Sequence, residues 1–175
     1  MPGNSLASAW VTSSGGPLIA VPETALPDWG GVTDDDGPVE TWGDYGRACA
    51  VEGYIGLVDV GGHQALVLGD EPAPTTYLAD HGLFARIAAA ESEAGFLAAV
   101  DRTIRGHVEW EDDESLAWDV REPVVLFDST WPGTDLEPGN HLRIDSIKPG
   151  RYRVRAAYIE QPDNWMILTQ LLPAR

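Results

Sequence analysis

The chain has 175 residues, 28 acidic against 11 basic side chains for a formal net charge of −17, and a composition 43% hydrophobic and 22% charged. That length suits one domain, or two small halves sharing a core, and the composition is that of a folded protein. The charge excludes nucleic-acid binding by bulk electrostatics, because phosphates would be repelled, and it favours steered encounter with a basic partner.

The acidity is uneven, residues 1–135 summing to −19 and residues 136–175 to +2. A single cysteine, Cys49, excludes an internal disulfide and fits a reducing compartment. Residues 1–10 have neither a basic start nor an apolar run, and no apolar stretch approaches bilayer length. These features predict a cytoplasmic protein with no membrane partner.

In chain order, short strands dominate. Runs at 10–12 and 18–21 flank the turn Ser13-Ser14-Gly15-Gly16-Pro17. Residues 22–46 are rich in Pro, Gly and Asp without a sustained period and read as loop around Trp29 and Trp42. The β-rich runs 54–60 and 63–68 are separated by Gly61-Gly62, a type I′ hairpin signal, because both turn positions need positive φ. A further strand is expected at 83–89.

The helix is predicted at 93–105. Ser92 caps its free amides, Phe96, Leu97, Val100 and Ile104 form one apolar face, and Arg102, Arg105 and Gly106 stop it. Strands at 116–120 and 124–127 follow, then a meander of 141–147, 151–160 and 165–172 joined by Lys148-Pro149-Gly150 and Pro162-Asp163-Asn164. In its middle strand Tyr152, Val154, Ala156 and Tyr158 share one face, with Arg151, Arg153 and Arg155 on the other and expected to pair within the protein.

The segments ALVLGDEPAPTTYL (65–78) and PVVLFDSTWPGTDL (123–136) match at six of fourteen positions. The fold class expected is therefore mainly β with one α-helix (α+β). Antiparallel sheets would form a single domain over 1–175, with two related β-rich halves at 1–106 and 107–175.

No catalytic constellation assembles. His63, His81, His107 and His141 lack close zinc-ligand spacing, one cysteine cannot make a thiolate cage, and Cys49 reads as a buried small hydrophobe. Thr33-Asp34-Asp35-Asp36-Gly37 fails the EF-hand register, leaving at most a weak loop calcium site. The double glycines lead into no helix and carry no phosphate-loop lysine. No metal or cofactor is expected.

Two features suit binding better. Glu109, Trp110, Glu111, Asp112, Asp113 and Glu114 pack five acids into six residues around an exposed-looking tryptophan, a self-repelling run that is either a solvated loop or an interaction segment. The chain also carries seven tryptophans, several of which must fill the core, leaving any exposed remainder as binding anchors.

The segments WVTSSGGPLIAVP (10–22), Trp29-Gly30-Gly31, DYGRACAVEGYIGLVDVG (44–61), ALVLGDEPAPTTYL (65–78) and PGRYRVRAAYIE (149–160) resemble the Immunity protein 21 family of bacterial polymorphic toxin systems. The resemblance implies a cytoplasmic, mainly β antidote that neutralises a toxin encoded beside it, with no catalytic residues to carry over. Its matching residues, including Gly15, Gly16, Trp29, Arg47, Gly69 and Asp70, look like turns and packing. The acidic residues Asp34, Asp35, Asp36 and 109–114 lie outside the matched motifs, where contacts to a basic toxin are expected. A tryptophan-rich carbohydrate-binding sandwich, needing aligned exposed aromatics, and a small carboxylate hydrolase are the competing readings.

Overall fold

The computed structural model describes residues 9–33, 36–111 and 115–174. Within these residues, ten strands form two five-stranded antiparallel sheets. One sheet has the order β2 (Ile55–Val60), β3 (His63–Leu68), β1 (Leu18–Pro22), β7 (Val124–Asp128), β8 (His141–Ile144). The other has the order β4 (Thr75–Leu78), β5 (Leu83–Ala90), β10 (Asn164–Pro173), β9 (Gly150–Glu160), β6 (Ser115–Val120). Two α-helices, α1 (Asp44–Cys49) and α2 (Glu93–Arg105), complete the frame with three short 3-10 turns. The mainly β architecture with a single long helix is the one the sequence predicts.

The sheets pack face to face around a core of Leu18, Ala20, Leu66, Leu68, Val124 and Leu126 from the first sheet against Phe84, Trp118, Tyr152, Val154 and Leu171 from the second. Each sheet also buries its outer face. Ile19, Val21, Val67, Val125 and Phe127 lie under Ala25 and Trp29, from the 3-10 turn Glu23–Asp28 and its end, and under Ala48 of α1. Leu83, Ala85, Met166 and Leu168 lie under Phe96, Ala99 and Val100 of α2. The result is four layers, which explains why every residue of β1 and β7 is buried although antiparallel strands usually alternate.

Local chemistry sets several elements as expected. The Ser92 side chain accepts from the Gly95 N–H at 3.0 Å, capping α2. Gly61 and Gly62 turn the β2–β3 hairpin at φ of 55° and 78°, a left-handed pair that side-chain-bearing residues resist. Tyr152 and Val154 point into the core, while Arg151 and Arg153 are exposed.

Four expectations need correction. The final meander does not form: β8 pairs with β7 in one sheet, whereas β9 and β10 pair in the other. The Lys148-Pro149-Gly150 segment crosses between sheets because Ile144 and Ile147 are drawn into the shared core, and the Tyr152 hydroxyl donates to the Lys148 carbonyl to hold the crossing. Likewise, Val11 does not pair across its turn with β1 but bridges Thr75 in the other sheet. The loop expected over 22–46 contains two 3-10 turns and the start of α1, whose last residue, Cys49, is half-buried. Finally, Trp110 is half-buried, not exposed.

The two repeat segments follow similar paths at first. β3 and β7 flank β1 on opposite sides, Val67 and Val125 facing the outer layer and Leu68 and Leu126 the shared core. They then part. Asp70 is an exposed residue at φ 68°, whereas Asp128 is buried, and only the first segment runs into a strand at 75–78.

Candidate functional site

An open cleft of about 740 Å³ lies between the C-terminal end of α2, the far end of β9 and the chain leading to β6. α2 contributes Arg102 and Thr103, its stop residue Gly106 turns the chain outward, and His107, Val108, Glu109, Trp110 and Glu111 form the opposite wall. Tyr158, Ile159, Glu160 and Gln161 line the β9 side. The helix stop signals legible in the sequence thus place the start of the acidic segment against a strand distant in sequence.

That wall is held in position. Trp110 packs on the α2-side core, and the Arg155 guanidinium lies 4.2 Å from its ring centroid, a cation–π contact. Arg155 is fixed in turn by two hydrogen bonds to Gln170 Oε1, at 3.0 and 2.7 Å. Glu111 N–H donates to the Ala156 carbonyl at 2.9 Å, so the segment is tied to β9. Glu109 and Glu111 are exposed on either side of the anchored ring. On the facing side, Gln161 donates to Thr103 at 2.7 Å, and the Tyr158 hydroxyl donates to Glu160 at 2.9 Å. Burial and the neighbouring Glu160 push the Tyr158 hydroxyl up to about 12, so it stays a neutral donor at ordinary pH.

Of the acidic residues singled out from the sequence, the cleft gathers Glu109, Trp110 and Glu111. Asp112, Asp113 and Glu114 lie outside the described residues, as do Asp34 and Asp35. Asp36 is exposed in the stretch between the 3-10 turn Glu23–Asp28 and α1, whereas Trp110 and Glu111 sit against the second sheet. The arginine row is used within the protein: Arg151 lies 3.7 Å from Asp119, Arg153 donates to Ser115, and Arg155 backs Trp110.

Sequence reasoning missed Arg86. It sits in the apolar run of β5, 1% exposed, donating through one guanidinium nitrogen to the carbonyls of Gly69 and Glu71 at 2.8 and 2.6 Å. Burial pulls its pKa down to about 10, opposed by the charges of Asp70 and Glu71. The only signal for it was an arginine inside LFARIAAA.

The remaining chemistry is sparse. Among the described residues, no three His, Cys, Asp or Glu side chains come together as a metal site. His81 lies 3.2 Å from Asp101, His141 contacts the Glu137 carbonyl and His63 contacts Thr24. Cys49 borders a hollow of about 230 Å³ with Tyr45, Gly16 and Asp70. Burial raises its thiol pKa more than the Tyr45 hydrogen bond lowers it, which leaves it a poor nucleophile. Trp29 and Trp118 are fully buried, donating to the carbonyls of Ser129 at 3.1 Å and Gln64 at 2.9 Å. Trp165 is 43% exposed and has no second exposed tryptophan to form a sugar-stacking platform among the described residues. Among the described residues, no helix is long and apolar enough to cross a membrane.

Fold and cleft together define an acidic antiparallel β-sandwich carrying an aromatic-backed, carboxylate-rich recess. The chain belongs to the Immunity protein 21 family, whose model matches residues 9–164. It is by that membership an immunity protein, a description that generally means neutralising a toxin. No curated protein and no solved structure matches it.

Proposed function

We propose that this protein, as one domain in the cytoplasm, binds and neutralises a cognate toxin without catalysing a reaction, its acidic surface meeting a basic toxin domain. The observation that carries the reading is the wall at 109–111, where two exposed carboxylates flank a tryptophan fixed from behind by Arg155. A large aromatic held rigid and rimmed by charge is the chemistry of a protein–protein anchor. The net charge of −17 adds long-range attraction toward a basic partner. The partner-contact set we assign is Glu109, Trp110, Glu111, Asp112, Asp113 and Glu114, with Asp34, Asp35 and Asp36 as a second surface.

The test is association kinetics with the toxin domain encoded beside this protein. Reversing Glu111, Asp112 and Asp113 to lysine should leave folding intact and slow association. The difference should shrink as salt rises past about 0.15 M, where the Debye length is about 8 Å. An on-rate equal to wild type at low salt would remove this segment from the binding surface.

A further inference from the structure

β9 is longer than the strand that covers its outer edge. β10 accompanies it to Glu160, opposite Trp165, but β6 accompanies it only from Gly150 to Arg155. The β9–β10 hairpin closes with Gln161 and Asn164 exchanging hydrogen bonds of 3.0 and 3.4 Å. In an antiparallel ladder, successive residues turn their main-chain groups to opposite sides. From that closure, odd-numbered residues of β9 face β10 and even-numbered residues face the β6 side. The bond from Glu111 N–H to the Ala156 carbonyl agrees with this parity. Tyr158 and Glu160 therefore direct their N–H and C=O groups to the uncovered edge, and no described residue pairs with them there. Both residues line the cleft of about 740 Å³.

We infer that this cleft takes an extended basic segment of the toxin as an added strand on β9, pairing with the main chain of Tyr158 and Glu160. The inference rests on the immunity reading and deepens it by naming the contact. An open sheet edge is a template for any strand, including one from a second copy of the same protein. Charge selects the occupant. Glu109, Glu111 and Glu160 surround this edge against the single arginine among the lining residues, Arg102. A second copy, itself at −17, is repelled, whereas a strand bearing lysine or arginine meets a carboxylate on either wall. The volume lies in the range of clefts that engulf a ligand. Trp110 supplies a rigid apolar side to the recess, since Arg155 holds it from behind.

The experiment uses the full chain and the toxin domain encoded beside it, in a catalytically inactivated form. Residue-level amide exchange is followed for the protein alone and in the complex. The expected result is that the Tyr158 and Glu160 amides slow by about tenfold or more on binding, as newly hydrogen-bonded amides do. Two variants separate main chain from charge. E160Q keeps the N–H and loses the carboxylate, whereas E160P loses both, at a position whose N–H the fold does not use. E160P should weaken binding about tenfold more than E160Q, the size of a lost intermolecular hydrogen bond. Binding with unchanged exchange at Tyr158 and Glu160 would overturn the strand addition and leave the immunity reading standing. Protection at these amides that depends on protein concentration without toxin would identify a second copy as the occupant and overturn it equally. Absence of any complex would remove the immunity reading and the inference together.

Discussion

Asp128 ends β7 as a carboxylate 1% exposed, and it is satisfied by four donors: the N–H and hydroxyl of Ser14, each at 3.0 Å, and those of Thr130 at 3.1 and 2.9 Å. It ties the 13–17 crossing segment to the strand it passes. Asp128→Ala strands those donors in a closed site and should cost about 3 kcal/mol or more in a denaturant titration. Val154 is fully buried, and Val154→Asp should cost several kcal/mol by placing an unpaired charge in the core. Arg153→Ala, on the exposed face of the same strand, should cost about 1 kcal/mol or less. The reverse ranking would mean that the β9 register is wrong. Tyr77 tests the alkaline side. Burial pushes its hydroxyl up to about 12, whereas in the unfolded chain it ionises near 10. The unfolded chain thus gives up a proton that the folded protein keeps, so this contribution is complete below about pH 10 and is lost as pH rises through about 12. Arg86, with its lowered pKa, acts in the opposite sense over the same range. The measurement is therefore the difference between wild type and Tyr77→Phe, which should narrow steadily from pH 10 to 12.

At the scale of elements, α2 stands on its own caps and on one apolar face. Ser92→Ala removes the bond to Gly95 N–H and should cost about 1 kcal/mol, read as a shift in denaturation midpoint. The cleft begins where α2 stops, so the same helix that covers the second sheet also sets the distance between its own last turn and β9. Helix and hairpins were legible because their signals are local: a 3.6-residue apolar period, a serine cap, and a glycine pair whose backbone needs positive φ. The broken meander was not legible. Turn chemistry at Lys148-Pro149-Gly150 says that the chain reverses but not which sheet it enters, and burial of Ile144 and Ile147 decides that.

For the whole molecule, the sheet order has a direct consequence. Residues 1–106 supply β1, β2 and β3 to one sheet and β4 and β5 to the other, and residues 107–175 supply β7 and β8 to the first and β6, β9 and β10 to the second. Neither half can close either sheet or the core between them. Separately expressed halves should therefore stay unfolded by circular dichroism, and the intact chain should unfold in one transition. A folded, cooperatively melting 1–106 fragment would show that the halves are independent units. The charge of −17 acts against the compact state by self-repulsion, so stability should rise as salt is added up to about 0.15 M, where screening sets in within about 8 Å.

Sequence alone determined the mainly β class, the position and caps of α2, the β2–β3 turn, the inward face of β9 and the acidic run whose start, 109–111, lines one wall of the cleft. Each depends on residues within a few positions of one another, where periodicity, capping and turn geometry act directly. Tertiary structure decided that β8 leaves the meander, that Arg86 is buried against the carbonyls of Gly69 and Glu71, and that Trp110 is anchored beneath Arg155. It also decided that β9 outruns β6 and leaves Tyr158 and Glu160 at an open edge. These depend on which distant segments share a buried face, and hydrophobic burial is non-directional: it demands a partner for every apolar surface without naming one.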